Sequence, residues 1–452
     1  MAPHAVVVAG AGQAGLETAA ALRARGYTGR VTLVGDEPPG PCHRPPLSKG
    51  YLTGAVPAED VPLRPASFYA EQDVELLTGT TVVSVDRERH TVLLESGLRL
   101  PYGALVLATG CRPRPLPVPG ASLHGVRTLR GLADAEVLRR ALQGPPLRLV
   151  VVGAGFVGLE VAATARGLGH EVTVVETQPR ALTRALTPAV SERIVAEHRA
   201  QGVRVLTGRQ VAVLHGDDRE RVRAVELADG ERIGADLVVV GIGVLPNTEP
   251  ARAAGLAVDD GVLVDAGLRT ADPDVWAVGD CASFPEPRTG RRMRLESVQN
   301  ATDQARCVAA AICGEPHPYT AVPRFWTEQY ALRVQMAGLT SGHDETVTVG
   351  DVAGGRFSVL CFREGRLIGV ESVNRPADHG ITARLLAAGT ALSPAAAREP
   401  GFDLKKLPRA PHSPTASPAP TVPTAPTSPT APTSPTASPS GSRSEERLSV
   451  HA

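Results

Sequence analysis

The chain has no excess of charge of either sign. Its 452 residues carry 47 lysines and arginines against 47 aspartates and glutamates. Proteins whose main partner is a nucleic acid usually carry a basic surplus that neutralises phosphates. The balanced charge therefore argues against nucleic acid as the main partner, although a local basic patch stays possible.

The sequence also lacks cysteine pairs. Its six cysteines form no CxxC motif and no metal-type cluster; they are Cys42, Cys111, Cys281, Cys307, Cys313 and Cys361. Scattered thiols in a chain of this size indicate a reducing, cytoplasmic compartment and argue against a disulfide scaffold. Residues 1–15 have neither the charged segment nor the cleavage site of a signal peptide. No apolar run approaches the ~20 residues of a membrane helix, so we expect a soluble protein without a membrane partner.

What the sequence does contain is a near-repeat. AVVVAGAGQAG at residues 5–15 is matched by LVVVGAGFVGLE at residues 149–160. Each is followed by a second strand that ends in an acid, RVTLVGDE at residues 30–37 and EVTVVE at residues 171–176. These patterns predict two βαβ units with buried parallel strands.

Further apolar runs extend this pattern. LVLATG, LVVVGIGVLPN and VWAVGD, at residues 105–110, 237–247 and 275–280, predict more buried strands. From about residue 323, period-two runs such as RFSVLCF predict a smaller antiparallel sheet with one exposed face. Residues 411–439 contain ten prolines, which predicts an extended, disordered tail. The expected fold is α/β, with two Rossmann-like dinucleotide-binding domains and a small C-terminal α+β domain with an antiparallel sheet.

Both glycine loops have the GxGxxG spacing of dinucleotide-binding turns. Their glycines are Gly10, Gly12 and Gly15 in the first loop and Gly153, Gly155 and Gly158 in the second. The first glycine makes the turn, the second admits a pyrophosphate and the third packs helix on strand. Asp36 and Glu176 follow about 20 residues on, where an acid can bind ribose hydroxyls.

Glu176 bears on the choice of nicotinamide cofactor. A carboxylate accepts from a free 2′-OH and repels a 2′-phosphate, so NADH is favoured over NADPH. Arg180 weakens this preference, because it stands four residues on and could reach a phosphate.

Several other motifs give a resemblance to a known family. They are RPPLSK at residues 44–49 followed by Tyr51 and Leu52, VETQPR at 175–180, ESVQN at 296–300 and FWTEQY at 325–330. With the two glycine loops, they make the chain resemble the FAD-dependent NADH:ferredoxin reductases that serve oxygenases, within the glutathione-reductase-like flavoprotein superfamily. The resemblance covers about residues 6–407.

The resemblance implies a function and a domain division. A hydride would pass from NADH to FAD, and single electrons would then pass to a [2Fe–2S] ferredoxin that serves a haem monooxygenase or a ring-hydroxylating dioxygenase. The FAD domain would comprise residues 1–113 and 245–322, the NAD domain 114–244, the C-terminal interface domain 323–410 and the tail 411–452.

The resemblance also implies which residues form the site. Those expected to contact FAD are Gly10, Gly12, Ala14, Gly15, Asp36, Arg44, Lys49, Val82, Ala108, Arg130, Asp280 and Val298. Those expected to shape the NADH site are Gly153, Gly155, Val157, Gly158, Glu160, Glu176 and Gly243.

Three residues are expected to take part in catalysis. Lys49 would lie beside the flavin, and it stands out because only three of the 47 basic residues are lysines. Glu160 would face the nicotinamide and pair with Lys49, or else serve only as a carboxylate near a helix start. Trp326 is either a core aromatic or a ring at the electron exit. Arg306 is a candidate to meet an acidic ferredoxin.

Two alternatives stay open. A dithiol relay of the CxxxxC type is excluded, because Leu47 stands five residues after Cys42. An NADH oxidase or peroxidase would need Cys42 as a low-pKa thiolate. An interaction protein resembling apoptosis-inducing factor is the other alternative, and the zero net charge does not favour it.

Overall fold

The structure is a computed structural model that describes residues 3–38 and 40–407. The proline-rich segment from residue 411, predicted as a disordered tail, lies outside these residues. Within the described ranges, no helix is long and apolar enough to cross a membrane.

The helices and strands fall into four consecutive parts of the chain. The first part contains β1 (Ala5–Ala9), α1 (Gln13–Ala24), β2 (Arg30–Val34), α2 (Gly50–Thr53), α3 (Ala66–Glu71), β3 (Val74–Leu77), β4 (Val82–Asp86), β5 (Thr91–Leu94), β6 (Arg99–Pro101), β7 (Ala104–Leu107) and β8 (Cys111–Pro113). The second part contains β9 (Val126–Arg127), α4 (Leu132–Leu142), β10 (Arg148–Val152), α5 (Phe156–Gly167), β11 (Glu171–Glu176), α6 (Pro188–Ala200), β12 (Arg204–Thr207), β13 (Val211–Gly216), β14 (Val222–Leu227), β15 (Arg232–Gly234), β16 (Leu237–Val240) and β17 (Val244–Pro246). The third part contains α7 (Glu249–Ala253), β18 (Val262–Leu263), β19 (Val275–Ala277), β20 (Ala282–Pro285), β21 (Arg292–Met293) and α8 (Val298–Ile312). The last part contains β22 (Arg324–Gln329), β23 (Leu332–Gly338), β24 (Glu345–Asp351), β25 (Arg356–Arg363), β26 (Arg366–Val373), α9 (Pro376–Ala388) and α10 (Pro394–Ala397). Short 3₁₀ turns lie at Pro45–Ser48, Ala58–Asp60, Gly279–Cys281 and Leu404–Lys406.

The near-repeat of the sequence becomes two parallel sheets of the same design. Their strand orders are β19-β7-β1-β2-β3 and β9-β16-β10-β11-β12. All neighbours are parallel, and β1 and β10 lie at the centre with their apolar residues buried. Such strands are buried on both faces because crossover helices cover them. The two predicted βαβ units and the α/β fold class are confirmed.

Each parallel sheet carries an antiparallel companion that the sequence analysis did not predict. β4, β5 and β6 form one three-stranded sheet, and β13, β14 and β15 form the other. The second parallel unit therefore repeats the first beyond the glycine loop.

The first and third parts of the chain share one sheet and one core. β19 completes the first sheet beside β7, and α8 packs against α1. The chain leaves this body through β8 and returns through β17, and the two strands pair antiparallel. These crossings lie where the sequence analysis placed the domain limits, which stay a proposal.

The C-terminal part forms the predicted antiparallel sheet, in the order β22-β23-β26-β25-β24. The expectation of one exposed face is wrong, because β25 is buried on both sides. Phe357 and Val359 belong to a core shared with α6 of the second sheet. Leu360 and Phe362 face the opposite side, where they pack with Leu385 of α9.

Candidate active site

The first glycine loop is packed tightly at two of its three glycines. Gly10 has φ +118°, and a Cβ there would lie 2.1 Å from the Ala108 carbonyl oxygen. A Cβ on Gly15 would lie 1.8 Å from the Gly10 carbonyl oxygen. Gly12 differs, since a Cβ there would meet nothing within 4 Å and no side chain caps α1. The free N–H groups at the start of α1 therefore face open space, as phosphate binding requires.

A pocket opens beside this loop at the carboxyl end of β2. It is lined by Ala11, Gly12, Gly35, Asp36, Glu37, Gly40, Cys42 and Arg44. Asp36 is exposed at the strand end, where its carboxylate can accept from ribose hydroxyls. The open cradle over Gly12 and this carboxylate fit the adenosine diphosphate part of FAD.

A chain of charged side chains continues from this pocket. Arg44 donates to the carboxylate of Glu37 at 2.6 Å and to the carbonyl of Arg130. Arg130 in turn donates to the Asp280 carboxylate at 2.9 Å. Asp280 lies in the 3₁₀ turn that follows β19, next to Ala14 of α1 through Gly279. Three predicted FAD residues are thus joined, with Glu37 as a partner that the sequence analysis missed.

The other two predicted FAD contacts lie at the starts of their elements. Val82 begins β4 and is buried in the core of the first sheet. Val298 is the first residue of α8 and is half-buried.

The second glycine loop repeats the packing of the first. A Cβ on Gly153, which has φ +102°, would lie 2.4 Å from the Gly241 carbonyl oxygen. One on Gly158 would lie 2.3 Å from the Gly153 carbonyl oxygen, whereas one on Gly155 would meet nothing closer than 3.7 Å. Val157 is 44% exposed in the first turn of α5. The open glycine, the free helix start and the exposed valine fit a second dinucleotide.

The acid at the end of β11 is held against this loop. Glu176 accepts from the backbone N–H of Ala154 at 2.7 Å and of Gln178 at 2.8 Å. Arg180 does not point to this carboxylate; its guanidinium donates to carbonyls of the loop before α6, including Leu186 at 2.9 Å.

A basic residue that the sequence analysis missed lies on the other side of the second loop. The Arg184 guanidinium lies 3.7 Å from the Cβ position of Gly243, which has φ +102°. Gly243 lies directly before β17 and shortly after the end of β16.

Lys49 and Glu160 form an ion pair between the two loop regions. Lys49 Nζ lies 2.6 Å from Glu160 Oε2, and the Glu160 side chain is only 8% exposed. Ser48 Oγ donates to the same oxygen at 2.6 Å, and Thr327 Oγ1 donates to Oε1 at 2.6 Å. Lys49 also donates to the Pro45 carbonyl at 3.2 Å. The structure therefore brings together the two residues that the resemblance pairs, and it adds two hydroxyl donors.

Aromatic rings lie next to this pair on β22. Trp326 is half-buried, with its ring centroid 6.4 Å from that of Phe325. Phe325 lies 4.6 Å from Phe156, the first residue of α5. The sequence analysis singled out Trp326 but not the two phenylalanines.

Cys42 does not have the environment of a reactive thiol. Its side chain is buried, and Sγ donates to the Glu37 carboxylate at 3.1 Å. Burial and the adjacent Glu37 charge raise the pKa of the Cys42 thiol to about 12. Burial also raises the pKa of the other five thiols. The thiolate that an NADH oxidase or peroxidase needs is therefore disfavoured at Cys42.

Comparisons with known proteins follow the same division of the chain. The pyridine nucleotide-disulphide oxidoreductase family matches residues 4–305, and the reductase C-terminal family matches residues 324–408. Rhodocoxin reductase of Rhodococcus erythropolis is 47% identical over 400 residues, 88% of this chain and 93% of that protein. Putidaredoxin reductase of Pseudomonas putida is 45% identical over 377 residues, 82% of this chain and 89% of that protein.

Solved structures give the same result. The ferredoxin reductase for the CYP199A2 system of Rhodopseudomonas palustris is 47% identical, with a TM-score of 0.86, and covers 89% of this chain and 99% of its own. Putidaredoxin reductase in its covalent complex with putidaredoxin is 43% identical, with a TM-score of 0.86, and covers 89% and 97%.

Proposed function

Because this chain belongs to the pyridine nucleotide-disulphide oxidoreductase family, with a reductase C-terminal domain behind it, we propose that it is an FAD-containing, NADH-dependent ferredoxin reductase that serves an oxygenase. One observation carries the proposal: the Lys49–Glu160 ion pair joins the segment after β2 to the helix of the second glycine loop. FAD, when bound, accepts two electrons from NADH and releases them one at a time, as a [2Fe–2S] ferredoxin requires.

The protein's own part is to hold two dinucleotides in one orientation. Gly12 and Gly155 leave room for a pyrophosphate at each helix start. Asp36 and Glu176 offer carboxylates for the ribose hydroxyls. Lys49 would supply a compact positive charge for the negative charge of the reduced ring, and Glu160 holds that ammonium in place.

The side chains at the second loop support NADH as the reductant. The Glu176 carboxylate disfavours a 2′-phosphate, and the Arg180 guanidinium is engaged by the carbonyls of its own loop. The structure thus removes the main reason to expect NADPH, which was the presence of Arg180 four residues after Glu176.

The electron acceptor is proposed to be a small iron–sulfur protein. The relatives named above are reductases of this kind, and one of them was solved as a covalent complex with putidaredoxin. Trp326 and Arg306 are our candidates for the docking side. The Arg306 side chain is 40% exposed and lies 3.5 Å from Glu17. Electron-transfer partners usually dock through small interfaces with complementary charge.

The cysteines and the crossing strands support two further parts of the proposal. All six cysteines lie within the described residues and are unpaired, which favours a reducing compartment such as the cytoplasm. The paired β8 and β17 support the division into an FAD domain, an inserted NAD domain and a C-terminal domain.

The decisive experiment is NADH-driven cytochrome c reduction, with and without an added [2Fe–2S] ferredoxin, while hydrogen peroxide is monitored. A large ferredoxin-dependent increase is expected. Steady NADH consumption without any ferredoxin effect, lost in the variant Cys42→Ser, would instead identify an oxidase. Neither NADH consumption nor ferredoxin reduction by the FAD-loaded protein would leave only the interaction-protein alternative.

A further inference from the structure

A buried chain of hydrogen bonds runs from Glu160 away from the two glycine loops. Thr327 Oγ1 donates to Glu160 Oε1 at 2.6 Å, and Gln329 Nε2 donates to Thr327 Oγ1 at 3.1 Å. His198 Nε2 lies 2.8 Å from Gln329 Oε1. The exposed fractions of these residues are 6% for Glu160, 1% for Thr327, 3% for Gln329 and 0% for His198. The chain therefore connects α5, β22 and α6 without solvent.

The end of this chain at His198 fixes its direction. Among the described residues, His198 Nδ1 is buried without a hydrogen-bond partner. Burial lowers the pKa of His198, which favours the neutral ring with a single N–H. That proton belongs on Nε2, because a buried N–H without an acceptor is rarer and costlier than a bare acceptor nitrogen.

Each later donor follows from this first one. His198 Nε2–H donates to Gln329 Oε1, so the Gln329 amide nitrogen must face Thr327. Thr327 accepts that N–H, so its one hydroxyl proton goes to Glu160 Oε1. The opposite amide orientation would leave Nδ1–H of His198 bare and draw the hydroxyl proton away from the carboxylate.

We propose that His198, Gln329 and Thr327 form a positioning relay, which holds Glu160 Oε1 so that Oε2 stays committed to Lys49. The inference rests on the proposed function, in which Lys49 and Glu160 flank the reacting rings. A carboxylate anchored at both oxygens cannot rotate, and the ammonium paired with it is therefore fixed as well. Without the Thr327 hydroxyl, Oε1 is bare, and Lys49 can move to share both oxygens.

The test compares two substitutions at Thr327 in the FAD-loaded protein. Thr327→Val keeps the shape and removes the hydroxyl, whereas Thr327→Ser keeps the hydroxyl and removes the methyl group. We expect Thr327→Val to lower the limiting rate of flavin reduction by NADH about tenfold, because a hydrogen bond to a charged group is lost. Thr327→Ser should stay within about twofold of wild type. The dissociation constant of NADH should change less than about twofold in both, since the relay contacts neither the loop glycines nor Glu176.

A role in packing alone predicts the reverse order, because serine leaves a small cavity and valine does not. Equal rates in the two variants, or a wild-type rate in Thr327→Val, would overturn the relay. FAD content and thermal unfolding of both variants verify that each is folded.

Coupling along the chain provides the second measurement. Gln329→Met should slow flavin reduction in the same direction, and the double variant with Thr327→Val should be no slower than Thr327→Val alone. His198→Leu should behave in the same way with a smaller effect, because it acts through Gln329. Additive losses in the double variant, or an unchanged rate in His198→Leu, would contradict the relay as drawn.

Glu160→Gln separates this inference from the proposed function. A slow Glu160→Gln together with a fast Thr327→Val overturns the relay alone. Absence of NADH-dependent flavin reduction in the wild-type protein overturns the proposed function itself.

Discussion

The two open glycines give a prediction that separates the two cofactor sites. In Gly12→Ala, the new methyl group meets no protein atom within 4 Å, and the backbone at φ −78° and ψ −164° suits any residue. The free energy of unfolding of the FAD-free protein should therefore stay within about 1 kcal/mol of wild type. The same methyl group stands where a pyrophosphate must approach the N–H groups of α1.

The expected cost falls on FAD binding. Losing one hydrogen bond between a backbone N–H and a phosphate costs about 1.5–3 kcal/mol. At about 1.4 kcal/mol for each factor of ten, FAD affinity should fall roughly 10- to 100-fold for each bond lost. Flavin fluorescence quenching during titration of the FAD-free protein measures this affinity, and thermal unfolding measures the stability.

Two matched variants act as controls. Gly155→Ala meets no atom closer than 3.7 Å, so it should retain FAD and weaken NADH binding instead. Gly15→Ala would place its Cβ 1.8 Å from the Gly10 carbonyl oxygen, so it should destabilise the fold by more than about 2 kcal/mol even without FAD. Wild-type FAD affinity in Gly12→Ala, or loss of FAD in Gly155→Ala, would refute the assignment of the loops.

Four further predictions concern single side chains. Cys42→Ser should retain NADH-driven ferredoxin reduction, because burial and Glu37 hold the pKa of the thiol at about 12; abolished turnover in a variant with normal FAD content would contradict this. Glu176→Ala should lower the preference for NADH over NADPH about tenfold in kcat/KM, and an unchanged ratio would show that the carboxylate does not read the ribose. Burial raises the pKa of the Glu371 carboxyl above its unfolded value, so the folded state binds the extra proton and stability falls as pH rises through the folded-state pKa. The decline of Tm over this range should be weaker in Glu371→Gln, and equal slopes would disprove the role of Glu371. Arg306→Glu should raise the KM for ferredoxin several-fold at low salt while flavin reduction by NADH keeps its rate; an effect on flavin reduction alone would remove Arg306 from the docking side.

The parallel sheets could be predicted from the sequence because their signals are local. A buried apolar run, a glycine loop and an acid lie within about 30 residues, so one pass along the chain finds both units. The small antiparallel sheets were missed because their strands are short and alternate irregularly between buried and exposed residues, as β4 and β13 show. The C-terminal sheet was found, but its second buried face depends on packing by α6 and α9, which no pattern within β25 reveals.

The site was predictable only in part. The glycines and acids follow from the loop pattern, and the resemblance supplied Lys49 and Glu160. The hydroxyl donors to Glu160 escaped prediction because Ser48 and Thr327 lie 112 and 167 residues away from it in the chain. Isolated serine and threonine residues carry no sequence signal for such a contact. The meeting point exists only after three parts of the chain have packed together.

The segment from Cys42 to Lys49 explains why a member of a disulphide oxidoreductase family needs no dithiol. Cys42 is a buried thiol next to a carboxylate, and Leu47 is 1% exposed within the core of the second sheet. The turn at Pro45–Ser48 thus packs against α5 and delivers Ser48 and Lys49 to Glu160. A segment used in this way for packing and charge pairing has no thiol to pass electrons on. Electrons must then leave the flavin directly, and we place their exit on the side of β22, where Trp326 and Phe325 lie next to the donor to Glu160.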